Sequence, residues 1–199
     1  VILLNSAVDA ELAFWKPRVD VERIITGVGP VEAACALAAA LAERPYDLMV
    51  NAGLAGAFEG AARIGDGVVV VDDVMEIALE TGAPIALPPG ETIIGKANSD
   101  PTLVAQLHAK GFRAVRGVTV ARVTSSEATA SRLASELGAQ IESMEGFSAL
   151  RAAELAGVRA IELRGISNRC GDRARSGWNF AAGISGLHRI LEALFECLR

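Results

Sequence analysis

Apolar runs of strand length alternate with longer Ala- and Leu-rich stretches along all 199 residues, and this alternation points to an α/β fold. Strands are expected over Val1–Leu4, Val21–Thr26, Asp47–Asn51, Val68–Val71, Arg113–Val120 and Arg159–Ile166. The β-branched run Val68–Val71 should be central. Helices are expected over Val31–Glu43, Asp100–Lys110, Ser126–Leu137, Glu145–Ala156 and Ile184–Leu198, with a shorter one over Asp9–Lys16. Pro30 suits a first helical turn, and Gly111 closes the helix before it. Pro84–Gly90 carries three prolines and reads as a loop. The chain shows no repeat, linker or low-complexity tract, so residues 1–199 are expected to form one domain.

Composition narrows the function classes. The formal net charge of -5 disfavours a nucleic-acid groove, because phosphate binding needs a basic surface. No apolar run approaches the roughly 20 residues that span a bilayer, and Val1–Leu4 is too short and uncharged to read as a leader. Cys35, Cys170 and Cys197 are odd in number and far apart, which argues against a disulfide framework or a zinc site. A cytoplasmic protein without metal or organic cofactor is expected.

Two glycine-rich segments follow strands. Gly27-Val28-Gly29-Pro30 opens a helix and superficially matches a dinucleotide fingerprint, but Asp47 stands at the start of the next strand, where a nicotinamide site wants an acid at its end. The segment is either a turn packing helix on sheet or a glycine-lined wall beside a sugar or anion. Asn51–Gly56 reads as a second small-residue turn at a strand's carboxyl end, with Gly53 on the wall. Neither segment carries a basic cradle for phosphate.

Among single residues, Glu11 is either an exposed carboxylate in a first helical turn or a base for water, its pKa raised by burial. Met144-Glu145 is either a helix start over a core methionine or a ribose clamp, the carboxylate accepting both hydroxyls of a cis-diol. Asn168 precedes the most charged segment of the chain, in which Arg173, Arg175 and Trp178 suit an anionic or aromatic substrate tail; a solvated loop is the alternative. Cys170, His108 and His188 read as structural.

In order and spacing, these pieces resemble the purine nucleoside phosphorylase and methylthioadenosine/S-adenosylhomocysteine nucleosidase superfamily over nearly the full length. The resemblance runs from Ala7–Leu12 through Thr26–Gly29, Asn51–Gly56, Ile64–Val70 and Ala114–Gly117 to Met144-Glu145 and Arg164–Asn168. It implies a three-layer, phosphorylase-like fold with a mixed, barrel-like central sheet flanked by helices, assembled as a homodimer or higher oligomer. It also implies Glu11 as the group that activates water, Met144 and Glu145 as the ribose pair, and Ser125 and Ser126 where backbone lies against the purine. Leu54 stands where the adenine-specific branch commonly has a small polar residue. Ile166-Ser167-Asn168, with Gly171-Asp172-Arg173 and Trp178 downstream, looks most like the branch that releases hypoxanthine from a nucleoside with a 5′-linked carboxyphenyl ketone, a step of menaquinone biosynthesis.

Asn168 occupies the position at which the superfamily usually has Asp, and the change has chemical content. A carboxylic acid can protonate purine N7 and accept from a 6-amino group. An amide cannot supply that proton near neutral pH. It can donate through its NH2 to O6 and accept through its carbonyl from a protonated N7, which matches hypoxanthine and opposes adenine. Mismatched buried polar groups reject the wrong base by roughly 10⁴-fold. A phosphorylase or nucleosidase acting on inosine or a methylthioadenosine-like nucleoside is the alternative.

Overall fold

A computed structural model describes residues 1–171 and 177–199. In chain order the elements are β1 (Ile2–Ser6), β2 (Val21–Ile25), α1 (Pro30–Glu43), β3 (Leu48–Ala57), β4 (Gly67–Met75), β5 (Lys96–Asn98), α2 (Pro101–Ala109), β6 (Arg113–Thr119), α3 (Glu127–Glu136), β7 (Ile141–Ser143), α4 (Gly146–Leu155), β8 (Ala160–Arg169) and α5 (Phe180–Cys197).

The sheet is mixed and closes on itself. β3 pairs with β7 antiparallel, β7 with β6 parallel, β6 with β4 parallel, and β8 joins β4 (antiparallel) to β3 (parallel). The ring β3–β7–β6–β4–β8 is the expected barrel; β1 and β2 extend it outward from β3, and β5 from β4. Register shifts at Ala55/Gly56 and Val70/Asp72 insert the irregularities that let a sheet bend tightly enough to close. Ala55, Val68, Val115, Ile141 and Ile166 come from all five ring strands and from no helix, so they fill the barrel. Small and β-branched side chains are what a narrow barrel accommodates. Outside, α2 and α5 pack on one face through Leu103, Leu107, Leu187 and Leu194, and α1 and α4 on another through Leu37, Leu41, Phe147 and Leu150. These make the flanking helical layers.

The structure corrects several sequence expectations. Asn51–Gly56 is not a turn but the body of β3, which runs on to Ala57 because β8 and β7 pair with it there. Its glycines have ordinary extended backbone; their smallness serves neighbouring side chains. The helix expected over Asp9–Lys16 is only a 3₁₀ turn, Asp9–Leu12. β8 continues through Asn168 to Arg169, so that amide lies within the strand rather than beyond it. β5 and β7, three residues each, carry too few positions to show a period. Among the described residues no helix is long and apolar enough to cross a membrane.

Candidate active site

A cavity of about 410 Å³ opens between the 3₁₀ turn, β3, β7 and the start of α5, within the size range of small-ligand sites. Glu11, Glu142, Met144, Glu145, Val28 and Trp178 are among its lining residues. A larger groove of about 520 Å³ runs between Phe14–Arg18 and α5, but no comparable set of buried carboxylates converges on it.

Glu11 is buried, at 9% exposure, rather than a solvated first-turn carboxylate. Its Oε2 accepts from the backbone N–H groups of Ala7 (3.0 Å) and Val8 (3.3 Å), and its Oε1 accepts from Leu54 N–H at 2.8 Å. Burial pushes its pKa above the ordinary carboxylate value, outweighing the opposing effects of the Leu54 N–H and the Arg164 guanidinium.

Glu145 sits at the N-cap of α4, directly after β7. Its Oε1 accepts from Gly29 N–H at 2.9 Å, so the segment with two readings in the sequence serves as a wall: Gly29 anchors Glu145 and Val28 lines the cavity. Met144 lines the cavity beside it.

Behind the two glutamates lies Arg164 of β8, only 1% exposed. Its Nη1 is 3.9 Å from Glu145 Oε2, and its Nε donates to Glu162 Oε1 at 2.8 Å. A Cβ at Gly53 would overlap Arg164 Nη1 and come within 2.9 Å of Glu11 Oε1. Gly53 thus leaves room for Arg164 Nη1 and Glu11 Oε1 to approach the same point of β3. Burial alone would lower the Arg164 pKa, but Glu162, Glu145 and Glu11 more than offset it and raise it.

Asn168 is 6% exposed and stands behind Gly56, which lines the cavity; a Cβ at Gly56 would come within 2.8 Å of Asn168 Nδ2. Its Oδ1 accepts from Ser167 Oγ at 2.9 Å, and its Nδ2 donates to Arg169 O at 3.2 Å. Each amide atom therefore keeps further capacity, one proton on nitrogen and one lone pair on oxygen. Gly56 also pairs with Glu142 on β7, which lines the cavity and accepts from Thr124 N–H at 3.0 Å and from the Thr124 hydroxyl.

The fold thus gathers Glu11, Met144, Glu145 and Trp178 around one cavity, with Gly53 and Asn168 in the layer behind. Trp178 stacks on Phe180 with centroids 5.2 Å apart. Ser125 and Ser126 are not brought to the cavity: both are exposed, and Ser126 instead caps α3, its Oγ accepting from Thr129 N–H at 3.2 Å. Val123 lines the wall in that region. Arg173 and Arg175 lie outside the described residues. Cys170 is buried and its thiol pKa is pushed far up by burial, an environment that disfavours the thiolate. Sequence reasoning assigned no role to Arg164, Glu162 or Glu142. The first two were signalled by charges at i and i+2 within the otherwise apolar run Ala160–Gly165, which puts both on one face of a strand.

The closed mixed barrel with buried glutamates around a small-ligand cavity defines a class, and a family model confirms it: residues 18–196 match the phosphorylase superfamily, to which this chain belongs. The structure superposes on the methylthioadenosine/S-adenosylhomocysteine nucleosidase of Streptococcus pneumoniae bound to a transition-state inhibitor (TM-score 0.81, 20% identity, 100% of this chain and 99% of that one). A futalosine hydrolase of Helicobacter pylori superposes equally well (TM-score 0.81, 16% identity, 98% and 97%). In sequence, the chain is 36% identical over 176 residues to the futalosine hydrolase of Thermus thermophilus, covering 85% of this chain and 78% of the relative. It is 40% identical over 185 residues to that of Acidothermus cellulolyticus, covering 88% and 73%. The chain belongs to the futalosine hydrolase family.

Proposed function

We propose that this protein hydrolyses the N-glycosidic bond of futalosine, releasing hypoxanthine and dehypoxanthine futalosine in menaquinone biosynthesis. One observation carries the choice of hydrolysis over phosphorolysis: three carboxylates, Glu11, Glu142 and Glu145, line the cavity. Such a wall repels a phosphate dianion but admits water.

The geometry supports the following sequence of events. Glu145, held by Gly29 N–H, accepts the 2′ and 3′ hydroxyls of the ribose. The C1′–N9 bond lengthens, its electron pair passing to the purine and leaving an oxocarbenium ion. Glu11 takes a proton from water as the water oxygen bonds to C1′. The burial that raises its pKa makes it a stronger base than an exposed glutamate. Asn168 donates to O6 of the departing hypoxanthine and accepts from N7–H, the purine proton coming from solvent. Trp178, and Arg173 or Arg175, are assigned to the aromatic and anionic 5′ tail. Exposed Val8, Val28 and Phe180 around the cavity support a homo-oligomer in which a partner chain closes that side. A cytoplasmic location fits the composition.

Chromatography of reactions with futalosine, inosine and methylthioadenosine, each with and without phosphate, tests this assignment. Hypoxanthine from futalosine at a phosphate-independent rate is expected. A requirement for phosphate, with ribose 1-phosphate chemistry, would make the protein a phosphorylase; adenine from methylthioadenosine as the main product would make it an adenine nucleosidase.

A further inference from the structure

Around Arg164, behind Glu11 and Glu145, lies a pair of acids to which the reaction above gives no part. Asp73 of β4 and Glu162 of β8 are fully buried. Asp73 Oδ1 accepts from Thr119 Oγ1 at 2.7 Å, and Thr119 Oγ1 in turn accepts from Phe147 N–H, at the first turn of α4, at 2.7 Å. Glu162 Oε1 accepts from Arg164 Nε. Among the described residues the remaining oxygens, Asp73 Oδ2 and Glu162 Oε2, are buried without a hydrogen-bond partner, as is Arg164 Nη2. Both carboxylates converge on Gly146: a Cβ there would overlap Asp73 Oδ2 and Glu162 Oε1 and lie 2.6 Å from Glu162 Oε2. They therefore share one small volume, inside the roughly 4–6 Å over which two carboxylates cannot both stay ionised without cost.

We infer that Asp73 and Glu162 hold one proton between them, and that this pair positions Arg164 between Glu11 and Glu145. A shared proton turns two orphaned acceptors into one donor and one acceptor, which satisfies both atoms. It leaves a single negative charge opposite the Arg164 Nε, enough to fix the guanidinium without drawing it away from the cavity. The charged groups facing the pair are Glu145 before α4 and Arg164 on the same strand as Glu162; Thr119 on β6 is neutral, and Glu11 on the 3₁₀ turn acts on Arg164 and Glu145 rather than on the pair. Burial, with the charge of Glu162 beside it, raises the pKa of Asp73 well above the ordinary value, consistent with a retained proton.

The consequence for turnover rests on the roles given above to Glu11 and Glu145, but the proton itself does not, so the two can fail separately. Infrared difference spectroscopy of the whole protein reads the proton directly. At alkaline pH, where exposed carboxyls are ionised, the unmodified protein is expected to keep the carbonyl band of a protonated carboxyl. Glu11→Gln should retain that band, and both Asp73→Asn and Glu162→Gln should lose it. Absence of the band in the unmodified protein, or its persistence in both variants of the pair, would overturn the inference. In kinetics, Glu162→Gln should lower kcat on the order of 10²-fold with KM little changed, the penalty for a misplaced catalytic group. It should also move the acid limb of the pH–rate profile to lower pH, because Arg164 is then free to lean on Glu11. A merely structural Glu162 would change the melting temperature and leave the pH profile in place. Loss of the shared proton at high pH should lower kcat of the unmodified protein, and Asp73→Asn, whose amide imitates the protonated acid, should remove that decline.

Discussion

Gly29 and Glu145, 116 residues apart in the chain, are joined by a 2.9 Å hydrogen bond from the glycine N–H to the carboxylate Oε1. Gly29 adopts φ +101°, a conformation that side chains rarely take, and a Cβ there would meet nothing within 4 Å. The position is therefore limited by backbone and not by space. Gly29→Ala should cost about 1–3 kcal/mol of backbone strain. It should also raise KM for the nucleoside by loosening Glu145. Calorimetry and steady-state kinetics together check this, and an unchanged KM would separate the turn from ribose binding.

Glu11 governs the acid side of the reaction. Its carboxylate must be ionised to take a proton, and burial raises its pKa above the ordinary value. Activity should therefore fall as pH drops through that raised pKa, a decline beginning at higher pH than an exposed glutamate would give. Glu11→Gln should remove turnover by at least about 10²-fold while leaving nucleoside binding nearly intact. Binding by calorimetry beside single-turnover rates checks both halves, and appreciable residual activity would take the base role from Glu11.

Asp73 makes stability depend on pH with a definite sign. Its folded pKa is raised, so native protein keeps a proton that the unfolded chain has released. Stability from this group is fully present below the unfolded carboxylate pKa and is lost as pH rises through the folded value. Asp73→Asn keeps an oxygen for Thr119 and offers an NH2 to Glu162, so it should flatten that decline. Denaturant midpoints followed upward in pH from the ordinary carboxylate range measure it; an equally steep fall in the variant would assign the effect to another group.

Much of this was legible in residue order, and what was not has physical reasons. Alternating apolar runs gave the α/β class, and Ser126 and Glu145 do stand at helix starts, Ser126 with its side chain capping α3. The small residues Ala52–Gly56 look like a turn, because composition does not distinguish glycine chosen for its backbone from glycine chosen for its missing Cβ. Here the second reason holds: Gly53 gives way to Arg164 and Glu11, and Gly56 to Asn168 and Cys170. Glu11 reads as exposed because its burial depends on β3, about 40 residues downstream, whose Leu54 N–H it accepts. Arg164 is hard to see for a related reason. A charge inside a strand usually marks a solvent face, and only closure of the barrel and three surrounding carboxylates make its burial tolerable.

The choice of leaving base is the centre of the account, and Asn168 is the residue on which it turns. The direct measurement is kcat/KM for the unmodified protein and Asn168→Asp on two nucleosides that share a 5′ tail, one a 6-oxopurine and the other a 6-aminopurine. The unmodified protein should favour the 6-oxopurine, and the variant should move the ratio toward the 6-aminopurine. An identical ratio in both proteins would contradict the account, because the amide would then not be what reads the base.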